Sequence, residues 1–374
     1  MSCPMFKSLM FIFVACLLIG LFDLRIGVFR GVFRGITNFI NTYFLFFVGW
    51  TSFKIDDRID GGISEQFLKK FLPITLIFTI FGLWSAFTKD NPILDAVGLE
   101  GRFLSEHMEN YRTFRVTGFT VSSSVYGLAC SVLFMSSYAL MKNYSKVQII
   151  AVVMLLLNIF LSATRAAIIP FLIGIIFFII LDKGISKIIK YTLIGIILIV
   201  LVYPVLPESI TGYFGQMFDS IVDVMSPHGT GGEKYGGSTV DARAMQIGAA
   251  MEFLKEKPLF GHGFAYFNEV LSGGKKHPLL LGMESYLCFI GVEYGLVYFI
   301  AILSFFISVI MFFIHHRKST RIYSDLGLSL TLMLIPYLVF AWVGGIWYFI
   351  MPILGLITRV IYNINYGKVT FCIK

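Results

Sequence analysis

The sequence predicts an all-α polytopic membrane protein of about ten transmembrane helices, with one long external loop that contains a short amphipathic helix. Two observations lead to this class. Of the 374 residues, 57% are hydrophobic and only 14% are charged, whereas soluble domains carry about 25% charged residues. The apolar residues also fall in long runs, and a helix that crosses a bilayer needs about 20 mostly apolar residues.

The predicted spans follow these apolar runs, and the whole chain, 1–374, is predicted to be a single integral membrane domain. The runs are Lys7–Phe22, Ile36–Phe53, Phe71–Phe87, Phe119–Met141, Val147–Ser162, Ala166–Leu181, Tyr191–Leu206, Ser285–Ile314, Leu326–Val343 and Ile346–Tyr362. The eighth run is longer than a bilayer requires, so either its first part lies outside the membrane or the helix tilts. Residues 207–283 form the predicted large external loop.

Basic residues in the short loops predict the orientation. Those between spans four and five, between spans six and seven, and after span eight fall on one side, which is predicted to be cytoplasmic. Arg25, Arg30 and Arg34 would then face outward, so either the first span is misplaced or these arginines serve a purpose outside. The N-terminus is interpreted as a first helix rather than a removed signal peptide, because no small-residue cleavage site precedes the next charges.

Composition and spacing also argue against several classes of site. The net charge of +8 does not indicate nucleic-acid binding, because the basic residues flank apolar runs. The five cysteines form no close-spaced pair, and we expect free thiols packed in helices. No Asp-x-Asp pair suggests a metal-bound nucleotide sugar. No metal site and no cofactor is therefore expected.

One segment of the external loop is predicted to be a surface helix. Apolar residues recur at helical spacing over Thr239–Lys255, and Ser238 or Thr239 can cap the first turn. Pro258 marks the end of the segment. The helix is expected to lie on or near the membrane surface.

Three arginines are candidate ligands for an anion. Arg165 lies between two spans with almost no loop, where a cation is costly unless something anionic meets it. It is either a snorkelling anchor or a phosphate ligand, whose geometry a guanidinium matches bidentately. Arg243, near the start of the surface helix, opposes the helix dipole unless Asp241 or a ligand compensates; the alternative is a solvated surface arginine. Arg115 by itself is an interfacial cation.

Three residues near the eighth span are candidate proton acceptors. Glu284 begins the span, and a carboxylate that loses water at the bilayer edge becomes a better base. Glu293 lies nine residues further along, where the preferred interpretation is a carboxylate paired with an interfacial arginine. His277 precedes both in a loop, where a histidine is more often inert.

The order of these short motifs resembles the O-antigen ligase and polymerase superfamily of bacterial cell-surface glycan assembly. The resemblance runs from about Arg115 to Gly295. Its parts are Arg115-Val-Thr-Gly118 followed by Tyr126-Gly127, Ser162-Ala-Thr-Arg165, Arg243 at the head of a helix, Lys257-Pro-Leu-Phe-Gly-His-Gly263, and Glu284-Ser-Tyr-Leu287 leading to Glu293-Tyr-Gly-Leu296.

The resemblance implies a metal-independent glycosyltransferase of the bacterial inner membrane that acts at the periplasmic face. Arg165 and Arg243 would hold the pyrophosphate of an undecaprenyl-linked oligosaccharide donor, with Arg115 as a helper. A hydroxyl of the glycan acceptor would attack the anomeric carbon, with Glu284 as the favoured base and His277 as the reserve. Membrane lipid and a chain-length regulator protein are the other expected partners, and no nucleic acid is expected.

One departure from the family pattern bears on the reaction. Ligases typically carry a histidine-asparagine pair where this chain has Glu284-Ser285, so a polymerase that joins repeat units of O-antigen, capsule or exopolysaccharide is favoured. The alternative is an O-antigen ligase that transfers the glycan to lipid A-core or another acceptor. A lipid-linked glycan flippase or transporter is the rival from another class. Secondary transporters usually show repeat symmetry and broken helices near mid-bilayer, whereas a flippase should line a central cavity with cations from several mid-membrane positions.

Overall fold

The computed structural model describes most of the helical part of the chain. The described residues are 3–51, 62–88, 91–92, 96, 116–118, 120, 122–140, 146–162, 164–183, 240–267, 285–340 and 347–366. They belong to two compact units, one formed by Met1–Lys70 with Arg243–Lys374 and the other by Phe71–Ala242.

Every regular element within the described ranges is helical, which confirms the predicted all-α class. The helices are α1 Phe6–Phe22, α2 Val28–Thr42, α3 Phe44–Thr51, α4 Gly62–Thr88, α5 Ser123–Leu140, α6 Lys146–Leu161, α7 Arg165–Lys183, α8 Val240–Glu256, α9 Tyr286–His316, α10 Arg321–Phe340 and α11 Trp347–Tyr366.

Four of these helices are long and apolar enough to cross a membrane. They are α5, α9, α10 and α11. Shorter apolar helices are formed by α1 and by parts of α4, α6 and α7. These eight helices coincide with eight of the predicted spans. The predicted span Tyr191–Leu206 lies outside the described residues, so the total of ten stays a prediction.

The second predicted span differs from the structure at its start and in its middle. Helix α2 begins at Val28 rather than at Ile36, and Tyr43 separates it from α3. The predicted span began at Ile36, which left Arg30 and Arg34 before it. In the structure both lie on α2, since a helix can keep a polar stripe while its other faces pack against protein.

A four-residue repeat explains how α2 packs. In Gly27-Val-Phe-Arg-Gly-Val-Phe-Arg-Gly35 the glycines recur every fourth residue and therefore share one face of the helix. A side chain at Gly31 would collide with the backbone of Gly20 on α1, and one at Gly35 would collide with the carbonyl of Cys16. Small residues let two helices approach closely in this way when no hydrophobic effect drives them together.

The remaining helices of the first unit enclose an aromatic core. Helix α1 packs against α2 and α9, α3 packs against α11, and α10 packs against α9 and α11. Tyr43, Phe305 and Trp347 are buried at the centre, with ring centroids 5.6 Å apart for Tyr43 and Trp347. Glycines again permit close contact, since a side chain at Gly355 would meet the backbone of Phe46.

Helix α9 is broken near its start. Gly295 has φ 71° and ψ −170°, which no α-helical residue adopts. The part after the break, residues 296–316, is about 31 Å long at 1.5 Å per residue, which matches the thickness of a bilayer core. One stripe of this part is exposed, as expected for a surface in lipid: Leu296, Phe299, Ile300, Leu303, Ile307, Met311 and Ile314. The break therefore explains why the apolar run Ser285–Ile314 is longer than one span requires.

The second unit contains a buried polar network. Helix α5 packs against α6 and α7. The hydroxyl of Tyr126 donates to Asn158 Oδ1 at 2.7 Å, and Asn158 Nδ2 donates to the Thr79 carbonyl at 3.2 Å. Polar side chains buried between helices need such partners, and the network joins α4, α5 and α6.

Candidate functional site

The predicted site residues lie at the margins of the described parts. Glu284, His277 and Arg115 lie outside the described residues, and so do the side chains of Arg165 and Arg243. The backbone positions of these two arginines are described. The roles given to all five residues stay predictions.

Arg165 is the first residue of α7, a helix of 19 residues. The Thr164 carbonyl accepts hydrogen bonds from the amides of Ala167 and Ile168 at 3.0 and 3.1 Å, which starts the helical pattern. The first amides of a helix have no intrahelical partner, and the helix dipole makes this end partly positive. An anion is therefore favoured beside Arg165.

The turn before α7 is tied to the segment that follows Arg115. The amide of Val116 donates to the Leu161 carbonyl at 3.2 Å, and the amide of Ser162 donates to the Asn158 carbonyl at 3.0 Å. Both bonds lie within the second unit. Two of the sequence motifs that are far apart along the chain, those beginning at Arg115 and at Ser162, are thus adjacent through their backbones.

Arg243 lies in the first turn of α8, and the predicted helix is confirmed with bounds shifted by one residue, whereas its place at the membrane surface stays a prediction. Only some of its apolar residues pack against protein. Ile247 and Met251 are 49% and 48% exposed, while Ala249 and Ala250 are buried against Phe267 and Val292. Sequence spacing shows which residues share a face, but only the tertiary contacts select the face that packs.

A segment that we call the strap, residues 258–267, fills the break in α9. In an unbroken helix, the amides of Leu296 and Val297 would donate to the carbonyls of Val292 and Glu293. Instead the strap supplies a partner for each of these four groups. The bonds are His262 N to Val292 O (2.9 Å), Gly263 N to Glu293 O (2.9 Å), Leu296 N to Pro258 O (2.9 Å) and Val297 N to Leu259 O (3.1 Å).

The side chain of Glu293 holds the next part of the strap. Its carboxylate is buried and accepts hydrogen bonds from the amides of Ala265 at 3.1 Å and Phe267 at 2.9 Å. This carboxylate thus binds backbone amides within the described part of the chain, and its pairing with an interfacial arginine stays a prediction. Ala265 has φ 62°, which is unusual for a residue other than glycine and shows that the contacts around it impose its conformation.

Two of the arginines that were predicted to face outward hold the strap from its other side. Arg25 Nη2 and Arg34 Nη1 both donate to the Phe264 carbonyl at 3.2 Å. Arg25 also binds both carboxylate oxygens of Asp23, at 2.9 and 3.0 Å, and Asp23 is only 3% exposed. The Phe264 carbonyl of the strap is therefore a partner of both arginines, of which Arg25 follows α1 and Arg34 lies on α2.

His262 sits in an aromatic setting within the strap. The His262 ring lies 4.5 Å from the Tyr266 ring, and the Arg25 guanidinium lies over that tyrosine at 5.0 Å. The Nε2 atom of His262 is 3.0 Å from the Phe253 carbonyl. Burial lowers the pKa of His262 below its ordinary value, and Lys257 and Arg25 act in the same direction, against the Phe253 carbonyl and Glu256. The neutral imidazole, which donates to Phe253, is the form that the fold favours.

The purified protein is expected to lose stability as the pH falls below the ordinary histidine range, near about 6.5. In that range the unfolded chain binds a proton at His262 and the folded chain does not, so the free energy of unfolding decreases with falling pH. Melting temperatures in detergent between pH 8 and pH 5.5 test this for the wild type and His262→Gln. The loss should be smaller in the variant, and equal slopes would contradict the role given to His262.

Sequence reasoning named Arg25, Arg34 and Glu293 but missed Asp23 and did not bring the four residues together. Asp23, Arg25, Arg34 and Glu293 meet around the strap, although more than 220 positions separate the arginines from Phe264. Two signals could have pointed to them: the repeat that places Arg30 and Arg34 on one face of α2, and the glycines of Gly261-His-Gly263. Both glycines have positive φ, 63° and 97°.

Comparison with known proteins bears on the middle of the chain. A family model described as O-antigen ligase matches residues 150–303. This segment covers α6, α7 and α8, the strap and the broken start of α9. No curated protein matches the chain.

The matched segment contains Arg165, Arg243, the strap and Glu293, together with the candidate bases Glu284 and His277. It was the order of these motifs that carried the resemblance. The match therefore confirms, over residues 150–303, that the chain is similar to the O-antigen ligase/polymerase superfamily of membrane enzymes.

Proposed function

We propose that the protein is a membrane glycosyltransferase that polymerises undecaprenyl-pyrophosphate-linked repeat units of a surface polysaccharide at the periplasmic face of the inner membrane. The observation that carries the proposal is the family match over residues 150–303, in a chain whose helices are apolar enough to cross a membrane. Such enzymes are ligases or polymerases of lipid-linked glycans. A polymerase and a ligase share the donor and differ in the acceptor.

In this proposal Arg165 and Arg243 bind the pyrophosphate of the donor, and Arg115 assists. The first turn of α7 supports the role of Arg165, because a helix N-terminus and a guanidinium both favour a phosphate oxygen. As the glycosidic bond to the pyrophosphate breaks, negative charge grows on the leaving group. Cations that meet this charge stabilise the transition state.

The base of the reaction is assigned to Glu284, with His277 in reserve. It accepts the proton of the acceptor hydroxyl as that oxygen attacks the anomeric carbon of the donor. Glu284 immediately precedes the N-cap residue of α9, Ser285. In this proposal the base directly precedes the short part of α9 that lies before the break.

The choice of polymerase over ligase depends on Glu284-Ser285, which stands in place of the histidine-asparagine pair of typical ligases. The description of the matching family favours a ligase as the second candidate. A glycan flippase is less favoured, because the notable arginines of the predicted site fall at one face and not along a central cavity.

Deletion of the gene in its host, followed by separation of the lipid-linked and surface glycans by length, tests the proposal. If the protein is a polymerase, deletion should shorten the surface glycan to a single repeat unit, and the wild-type gene should restore long chains. Complementation with Glu284→Gln should fail to restore them if Glu284 is the base. The membrane content of each variant is measured in parallel, so that poor expression is recognised.

Other outcomes would redirect the assignment. Long chains that stay on the carrier lipid would identify a ligase. Repeat units that collect on the cytoplasmic face would identify a flippase and exclude glycosyl transfer as the function.

A further inference from the structure

The break in α9 forms a joint with the strap, in which backbone hydrogen bonds connect the two segments. A glycine with φ 71° opens the helix at Gly295, and two helical hydrogen bonds are exchanged for four bonds to the strap. The approach is tight on both sides: a side chain at Gly261 would meet the carbonyl of Glu293, and one at Gly295 would meet the amide of Gly261. Because unpaired backbone groups are costly near a bilayer, this joint holds the strap to α9.

The strap is also fixed along the rest of its length. Glu293 accepts the amides of Ala265 and Phe267, while Arg25 and Arg34 bind the carbonyl of Phe264, which belongs to the same peptide unit as the Ala265 amide. Three backbone groups within residues 264–267 are therefore held by side chains of these three residues. Hydrogen bonds to charged groups are stronger than those between neutral groups.

Contacts at the end of α1 also hold the strap. The buried carboxylate of Asp23 lies so close to Gly263 that a side chain there would collide with it. Phe22, at the end of α1, stacks on Phe260 with ring centroids 4.4 Å apart. The strap is thus held between the end of α1 and the break in α9.

The strap in turn sets the position of α8. Lys257 connects the two, and Phe267 at the far end of the strap packs against Ala249 and Ala250 of α8. Val292, one residue before Glu293, belongs to the same cluster. Arg243 stands seven residues before Ala250, about two helical turns, and therefore on the same side of α8.

We propose that Glu293, together with Asp23, Arg25 and Arg34, is a set of positioning residues that fixes the strap and thereby places Arg243 for its contact with the donor pyrophosphate. The inference depends on the proposed function for the ligand of Arg243. Misplacing a binding group by about 1 Å can cost roughly 100-fold in rate, so a rigid support is an effective part of such a site.

Glu293 fits a positioning role better than a role as base. Both of its carboxylate oxygens accept backbone amides, and the side chain is only 1% exposed. A base must reach the proton of the acceptor. Glu293→Gln keeps the size of the side chain but turns one acceptor into a donor that faces a backbone N–H, so the strap loses one bond and gains a repulsive contact.

The test combines hydrogen exchange with kinetics on the purified full-length protein, using a lipid-linked repeat unit as donor. We expect Glu293→Gln and Arg34→Ala to increase amide exchange in residues 258–267 and to lower kcat about 10- to 100-fold. Arg34→Lys retains a donor to the Phe264 carbonyl and should recover much of the activity. Arg30→Ala is the matched control, because Arg30 lies one turn earlier on the same helix and is exposed.

A double-mutant cycle separates positioning of Arg243 from a general loss of stability. If the strap acts through Arg243, then Glu293→Gln combined with Arg243→Ala should be no less active than Arg243→Ala alone. The inference would be overturned if the activity losses of the two single variants multiplied in the double variant. It would also be overturned if Glu293→Gln showed faster exchange but an unchanged kcat. Either result would leave the proposed function in place.

Full activity of Arg243→Ala would have a different meaning. It would remove Arg243 from the donor site, and both the site assignment and the inference would fail together. Melting temperature and membrane content are measured for each variant. If Glu293→Gln does not fold, Arg34→Ala in combination with Arg243→Ala carries the same cycle.

Discussion

Arg165→Ala and Arg243→Ala are each expected to lower kcat of the purified enzyme by about 10²–10³-fold, with a smaller change in the KM for the donor. Removing one group that stabilises developing charge in a transition state typically costs this much. Charge grows on the pyrophosphate as the sugar leaves, so a guanidinium bound to it contributes more in the transition state than in the ground state.

Lysine replacements test the geometry of the contact. Lysine keeps the charge but lacks the planar fork that binds two phosphate oxygens. Arg165→Lys and Arg243→Lys should therefore recover only part of the lost activity.

Lys255→Ala is the control for these arginine variants, because Lys255 is exposed on the same helix as Arg243 and should be replaceable. Steady-state rates of glycan extension on a lipid-linked repeat unit provide the measurement. Unchanged kcat in either alanine variant would remove that arginine from the proposed site.

Gly295→Ala is expected to have the largest effect on the fold. The residue has φ 71°, and an added side chain would lie 2.6 Å from the carbonyl oxygen of Leu259 and also too close to the Gly261 amide. Alanine would restore the tendency of α9 to continue as a helix, which would expel the strap and forfeit its four backbone bonds. We expect a loss of stability of at least about 2 kcal/mol, since strain and unpaired backbone groups both contribute.

Gly291→Ala is the matched control on the same helix. An added side chain there meets only one atom, Leu254 Cδ2 at 4.0 Å, and alanine is the better helix former by about 1 kcal/mol. Melting temperature and hydrogen exchange over residues 258–267 in detergent compare the two variants. Equal stability of Gly295→Ala and the wild type would mean that the break does not depend on this glycine.

The helices could be predicted from the sequence, because a bilayer imposes a length and a hydropathy that are local properties of the chain. Eight of the predicted spans coincide with apolar helices, and α8 was placed within one residue. The start of α2 at Val28 differs from the predicted start at Ile36, because the apolar run begins only there. The face of α8 that packs could not be selected from the sequence, because a short helix with apolar residues on several sides offers more than one choice.

The charged residues near the site show the limit of local reasoning. Arg165 and Arg243 were singled out because each is costly where it stands unless an anion meets it. For Arg25 and Arg34 the same reasoning left two alternatives, a misplaced first span or a purpose outside, and it could not name a partner. Their acceptor, the Phe264 carbonyl, is a backbone atom in a distant segment, and no pattern of side chains reports such a bond.

By itself the sequence predicted the all-helical class of a membrane protein, the positions of most of its described apolar helices, and the superfamily that its central motifs resemble. Tertiary structure decided that α9 is broken at Gly295, that the strap fills the break, and that Glu293 binds backbone amides there. The physical reason is the range of the interactions. Helix formation in lipid depends on the composition of about 20 consecutive residues, whereas the joint depends on backbone groups that meet only after the chain has folded.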